Sequence, residues 1–283
     1  MDIREKQQIR QALEAFIKVK GSQNKAGNAL KGISPATVSQ IVNGNWELIS
    51  DELWRSLAAQ LNIKNKTWNI VETTNFKDLT EMFSDAQENS LVTAIIGEAG
   101  CGKTLAANMY RQNNSNVFIL CCAEYWNRKL FMQELLCEMG KNPGSDTVGE
   151  MMADIVSTLK RLDSPLIIMD EIDKISDQVF YFFITLYNQL EDHCGFIMMA
   201  TEHFKKKMER GLTNKRKGYA EIYSRMGRRL VDLEKTNQQD IIEVCIANGI
   251  TSQKSIKEVL DDSDNDLRRV RKKVFAINKK NAR

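Results

Sequence analysis

Gly97-Glu98-Ala99-Gly100-Cys101-Gly102-Lys103-Thr104 fits the pattern GxxxxGK[ST] in full, with an apolar run over residues 91–96 before it and helix-forming residues 105–109 after it. That is the strand, loop and helix of a phosphate-binding loop. The glycines let backbone N–H groups turn inward onto a triphosphate, which also meets the positive end of the following helix dipole. Lys103 is placed to reach the β- and γ-phosphates and Thr104 to give its hydroxyl to Mg²⁺. The plain alternative is a glycine-rich turn between any strand and any helix, and a second motif weighs against it. Leu166-Ile167-Ile168-Met169-Asp170-Glu171 reads as a buried parallel strand that ends in two carboxylates. Asp170 is placed to hold Mg²⁺ through water and Glu171 to polarise an attacking water.

The remaining apolar runs at residues 116–122, 195–200 and 231–233 alternate with helical stretches near 76–88, 128–139, 148–162 and 177–191. This order predicts an α/β fold, a parallel sheet with right-handed crossovers and helices on both faces. Thr201 stands at the tip of the 195–200 strand, where it either senses a γ-phosphate or makes a local turn bond. His203 is one of two histidines and has no visible partner set.

Ahead of this domain, Ile9, Leu13, Phe16 and Ile17 recur at helical spacing, and Ser22 and Ser34-Pro35 begin two further short helices. A fourth helix runs over about residues 50–61. Two short helices around a glycine turn predict a helix-turn-helix with Ala26, Ile33, Val38 and Ile41 inside and Thr37, Ser39 and Gln40 facing a groove. No arginine projects from its third helix, so weak sequence preference is expected; a small bundle for protein contacts is the other reading. Residues 62–75 read as a linker or strand. The expected domains are therefore 1–65 (helix-turn-helix), 66–233 (nucleotide-binding) and 234–283, a helical lid with helices near 238–247, 252–260 and 266–278.

Between residues 205 and 229 stand ten basic residues and two acids. Such a run is either a solvated loop or a contact for a phosphate backbone, and tyrosines at 219 and 223 favour the latter. Lys205, Lys206, Lys207, Arg210, Lys215, Arg216 and Lys217 are the candidate DNA contacts. Arg225, in Ser224-Arg225-Met226, is placed to complete a neighbouring subunit's nucleotide site. Arg268 opens a tail with eight basic residues and no acid, and is placed over the phosphates.

The 283-residue chain has a formal charge of +3, so nucleic-acid affinity has to come from local patches. Six cysteines without a CxxC pair fit a reduced compartment, with neither a disulfide framework nor a zinc site. No apolar run approaches ~18 residues, and the charged start Met1-Asp2-Ile3-Arg4-Glu5 lacks a signal core. A soluble, cytoplasmic protein without a membrane partner is expected.

The order of phosphate loop, DE strand, polar strand tip, SRM arginine and DLRR helix resembles the AAA+ ATPases, in which nucleotide sits between subunits. With the front domain, Ile70-Val71-Glu72-Thr73 and the block IYSRMGRRL, the chain resembles the Mu B family of ATP-dependent target-DNA activators over nearly its whole length. The resemblance implies an ATPase using ATP and Mg²⁺ that assembles as a helical homo-oligomer on double-stranded DNA without strong sequence preference and delivers that DNA to a transposase. It assigns phosphate and metal binding to Lys103 and Thr104, metal and hydrolysis to Asp170 and Glu171, the first sensor to Thr201, the finger in trans to Arg225 and the second sensor to Arg268. Asn is common at the first sensor, so Thr201 is a departure, and Arg228 competes with Arg225. A helicase loader or replication initiator shares every ATPase motif, and a nucleotide-switched transcription regulator would use the front domain to read an operator.

Overall fold

The structure is a computed structural model and describes residues 3–47, 49–61 and 68–281. It divides into two compact units, Met1–Asn69 and Ile70–Arg283. The expected boundary at 65/66, and residues 62–67 of the expected linker, lie outside the described residues.

The first unit holds α1 (Ile3–Lys20), α2 (Gln23–Ala29), α3 (Pro35–Val42) and α4 (Asp51–Gln60) around Ile9, Leu13, Ala26, Ile33, Val38, Ile41, Trp54 and Leu57. Ser22 and Ser34 cap α2 and α3 by accepting from Lys25 N–H and Thr37 N–H, which satisfies otherwise unpaired amides of each first turn. Gly27 lets the two helices close, since a Cβ there would lie 2.8 Å from the Pro35 backbone. Of the residues expected to face a groove, Gln40 is exposed, whereas Thr37 bonds to the Ser34 hydroxyl and Ser39 accepts from Asn43.

In the second unit the order is α5 (Thr74–Asn89), β1 (Val92–Ile96), α6 (Lys103–Asn113), β2 (Val117–Cys121), α7 (Arg128–Glu138), α8 (Val148–Leu159), β3 (Leu166–Asp170), a 3₁₀ turn (Ile172–Lys174) and α9 (Asp177–Leu190). β4 (Gly195–Ala200), α10 (Glu202–Thr213), α11 (Tyr219–Arg225), β5 (Leu230–Asp232), α12 (Gln238–Ala247), α13 (Gln253–Ser263) and α14 (Leu267–Asn281) follow. The five strands are all parallel in the order β2-β3-β4-β1-β5.

Period-two alternation sends Ile95, Ile168, Ile197 and Met199 to the face covered by α5 and α6. Ala94, Ile167, Met169, Phe196 and Met198 go to the opposite face, under α7 to α11. Because β1 lies between β4 and β5 rather than beside β2, the C-terminal ends of β1, β3 and β4 converge, the place where open α/β sheets bind ligands.

The basic run is helical for most of its length. Phe204, Met208 and Gly211 recur at i, i+4 and i+7 and are buried, which anchors α10 and turns its lysines outward. The C-terminal helices pack within the same unit as the sheet. Thr74, at the start of α5, donates from its N–H and hydroxyl to Asp240 of α12 at 3.0 and 3.2 Å, and Asn75 donates to the Glu234 carbonyl at 2.9 Å.

Candidate nucleotide site

The loop from β1 to α6 takes left-handed backbone at Gly100 (φ +84°) and Gly102 (φ +100°), conformations that L side chains rarely adopt, and α6 begins at the next residue, Lys103. The Lys103 ammonium folds over the loop and donates to the carbonyls of Gly97 at 2.7 Å and Glu98 at 3.1 Å. A glycine-walled loop with a cation poised above it at a helix N-terminus fits a polyphosphate.

β3 is buried along its whole length and delivers Asp170, 2% exposed, beside this loop, where it accepts a short hydrogen bond from the Thr104 hydroxyl. Its other oxygen accepts from the Glu171 N–H at 2.9 Å. This carboxylate and hydroxyl, in contact beside the loop, are oxygens that would suit a hard cation such as Mg²⁺, Asp170 through water. No cluster of three or more His, Cys, Asp or Glu able to cage a metal exists among the described residues.

Burial pushes the Asp170 carboxyl above its ordinary value, while the Thr104 hydroxyl, the Glu171 N–H and the Lys103 charge pull it back part of the way. An acid raised in the folded state costs stability once pH exceeds the ordinary carboxylate range, and the cost fades as pH falls through that range. Asparagine keeps the shape, accepting from Glu171 N–H and donating to Thr104, without the buried charge. Asp170→Asn is therefore expected to abolish Mg²⁺-dependent hydrolysis while stabilising the nucleotide-free fold at neutral pH by of order 1 kcal/mol, roughly 2–4 °C. Thermal melts test it, and an unchanged or lower midpoint would remove burial as the cause.

Glu171 itself sits in left-handed backbone (φ +57°), which turns its carboxylate out of the strand line. The carboxylate receives Lys174 at 2.6 Å and faces the Cys121 thiol, at the end of β2, at 3.8 Å. Burial and the Glu171 and Asp170 charges push that thiol up, so it stays protonated beside Glu171. Thr201 occupies the N-cap position of α10 without capping it; its hydroxyl instead donates to Asp173 at 3.0 Å. The second Asp173 oxygen is buried with no hydrogen-bond partner among the described residues. Asp173, Lys174 and Cys121 were missed by the sequence reading; the pairing of Cys121 with Asp170 across β2 and β3 is a matter of register that no local motif carries.

The start of α14 reaches the same loop. Leu267 N–H, at the start of α14, donates to the Gly100 carbonyl at 3.1 Å, and a Cβ at Gly100 would run into the Asp266 carboxylate. Arg268 follows, exposed, its N–H bonded to Asp266 at 2.7 Å.

Arg225, at the end of α11, is held within its own chain by Glu221 at 2.9 Å, by Asn188, and by the Tyr187 ring at 5.1 Å. Arg228, in left-handed backbone after Gly227, donates its N–H to the Tyr223 carbonyl at 2.8 Å and exposes its guanidinium, which has no hydrogen bond or ion pair among the described residues. The candidate DNA contacts separate likewise. Lys206, Arg210, Lys215 and Lys217 are exposed, Lys217 lying 4.7 Å over the Tyr181 ring. Lys205 pairs with Asp232 at 3.0 Å, Arg216 pairs with Asp177 at 2.9 Å, and Lys207 is half-buried.

A parallel sheet in this order, a phosphate loop opening α6 and a carboxylate-tipped β3, separated from β1 by β4 alone, are the arrangement of the AAA+ P-loop fold. A family model described as an AAA domain matches residues 86–208. The ATP-dependent target DNA activators B of Escherichia phage Mu and Escherichia phage D108 are each 25% identical to this chain over 236 residues, covering 80% of it and 73% of the relative. The Mu-like prophage FluMu DNA transposition protein B of Haemophilus influenzae is 20% identical over 237 residues, covering 81% of each chain. The resemblance to the Mu B family read from the motifs stands on these relatives. Among the described residues no helix is long and apolar enough to cross a membrane.

Proposed function

We propose that this chain is an ATP-dependent target-DNA activator of transposition: it binds and hydrolyses ATP, assembles on duplex DNA with little sequence preference, and presents that DNA to a transposase. The observation that carries the reading is the extent of the match. The relatives align over 236 residues, well beyond the AAA domain at 86–208, so the likeness is not confined to that domain, and this supports the reading.

Lys103 and the loop amides hold the triphosphate, Thr104 and Asp170 hold Mg²⁺, and Arg268 reaches the phosphates from α14. Bound there, Mg²⁺ would supply positive charge against that of the triphosphate. Glu171 orients a water and takes up its proton. Thr201, hydrogen-bonded to Asp173 between β3 and β4, senses the terminal phosphate. An arginine from a second copy completes the site, so triphosphate favours the assembled state and hydrolysis releases it by population shift. Many weak phosphate contacts along the array then give avidity without base reading, and binding falls steeply with salt. In this reading the front unit adds a further DNA contact, and the protein works in the cytoplasm.

For the finger, Arg228 is the better disposed of the two, because Arg225 is tied to Glu221, Asn188 and Tyr187. Lys103→Ala and Arg228→Ala subunits should each be inactive alone, yet mixed one to one they should recover hydrolysis at roughly a quarter of the head-to-tail interfaces. Recovery with Arg225→Ala subunits and none with Arg228→Ala would return the role to Arg225.

The function itself is tested by adding the protein, ATP and a random duplex to a Mu-like transposase. Stimulated strand transfer into that duplex is expected. Stimulation of helicase loading instead, or a footprint at one preferred sequence, would replace the reading with a loader or a transcription regulator.

A further inference from the structure

His203, Lys206, Lys207 and Arg210 stand at i, i+3, i+4 and i+7 of α10 and share one stripe of the helix. Together with Asp177 at the start of α9 and Arg216 from the turn before α11, they line a cleft of about 220 Å³. Four cations face one carboxylate there, and that carboxylate is already engaged. Asp177 accepts from Arg216 at 2.9 Å and from the Tyr219 hydroxyl at 2.7 Å, and lies 3.7 Å from Lys207. Lys206 and Arg210 project from the same wall without a hydrogen bond or ion pair to any described residue. The cleft is smaller than the ~300 Å³ at which pockets begin to take drug-sized ligands and is open to solvent, which leaves room for one phosphate of a polymer lying across it.

Lys207 ties this cleft to the hydrolytic carboxylate. Its ammonium, half-buried and pushed down by desolvation, donates to the Ile175 carbonyl at 2.6 Å. Ile175 closes the 3₁₀ turn through its N–H to the Ile172 carbonyl at 3.3 Å, and from that turn Lys174 holds Glu171 at 2.6 Å.

We infer that the α10 cleft is a phosphodiester-binding site whose occupancy draws Lys207 from the Ile175 carbonyl and loosens the turn that keeps Lys174 on Glu171. Duplex seated on α10 thereby releases the carboxylate that activates water. This deepens the proposed function and rests on the chain being an ATP-dependent DNA-binding protein. A phosphodiester is favoured over an acidic protein segment because two guanidinium forks and two ammonium groups line one small cleft, a donor set that matches the several oxygens of a phosphate.

The test uses the full chain with ATP, a random-sequence duplex and, in a parallel arm, polyglutamate. In the variant Lys206→Ala/Arg210→Ala, the slope of log affinity for duplex against log salt should fall by about two, and the stimulation of hydrolysis by saturating duplex should be lost. Nucleotide affinity and the melting midpoint, read on the same samples, establish that the variant is folded. A wild-type slope in the variant would overturn the site. A reduced slope with stimulation intact would overturn the relay through Lys207. Polyglutamate that stimulates hydrolysis as duplex does, and loses that effect in the variant, would overturn the phosphodiester assignment. A wild-type chain that binds no duplex would instead sink the reading beneath the inference, which keeps the two failures apart.

Discussion

Lys103→Ala is expected to leave a folded protein that neither binds ATP measurably nor assembles on DNA in its presence. Among the described residues the ammonium bonds only to the Gly97 and Glu98 carbonyls and the Cys101 sulfur, so its removal costs the fold about 1 kcal/mol. In the proposed bound state the same group would make charge-assisted bonds to two phosphates. Losing them costs about 3 kcal/mol or more, roughly 100-fold in affinity. Titration with a fluorescent ATP analogue and a duplex-binding assay read the two effects. Assembly on DNA at wild-type levels in this variant would disconnect nucleotide from DNA and refute the mechanism.

Glu171→Gln separates binding from chemistry. Glutamine has the outline of glutamate and its amide oxygen still accepts from Lys174, so the left-handed backbone at 171 and the neighbouring Cys121 contact are kept. It cannot take a proton from water, and hydrolysis is expected to fall by about 10²–10⁴-fold, the range a positioned general base contributes. Because Lys103, Thr104 and Asp170 are untouched, ATP stays bound and the DNA-bound assembly outlives that of the wild type. Single-turnover hydrolysis and DNA dissociation kinetics give both readings; rapid turnover in the variant would remove Glu171 from its role.

How far the sequence announced this follows from where each signal lies along the chain. The phosphate loop and the DE strand were legible because each is contiguous: glycines at fixed offsets, or four apolar residues and two acids. The parts that tune the site are non-local. Cys121 meets Glu171 only because β2 and β3 are neighbours in register, Leu267 meets Gly100 only because α14 folds back over the loop, and Thr74 meets Asp240 across the length of the unit. Strand order is of the same kind, since no run of residues says that β1 lies between β4 and β5. The stretch 205–229 hid its helices behind a density of lysine and arginine. Its apolar stripe, Phe204, Met208 and Gly211, is only three residues, one of them a glycine. Treating the basic residues there as one set also concealed that Lys205 and Arg216 are paired while Lys206 and Arg210 are not.

Fold and chemistry meet in one claim, that triphosphate joins neighbouring copies and the joined copies hold the duplex. Electron microscopy of the protein with a non-hydrolysable ATP analogue and random-sequence duplex tests it most directly. The account predicts continuous arrays along the DNA that vanish when the analogue is replaced by ADP. Single, separated particles in the presence of both analogue and duplex would contradict it.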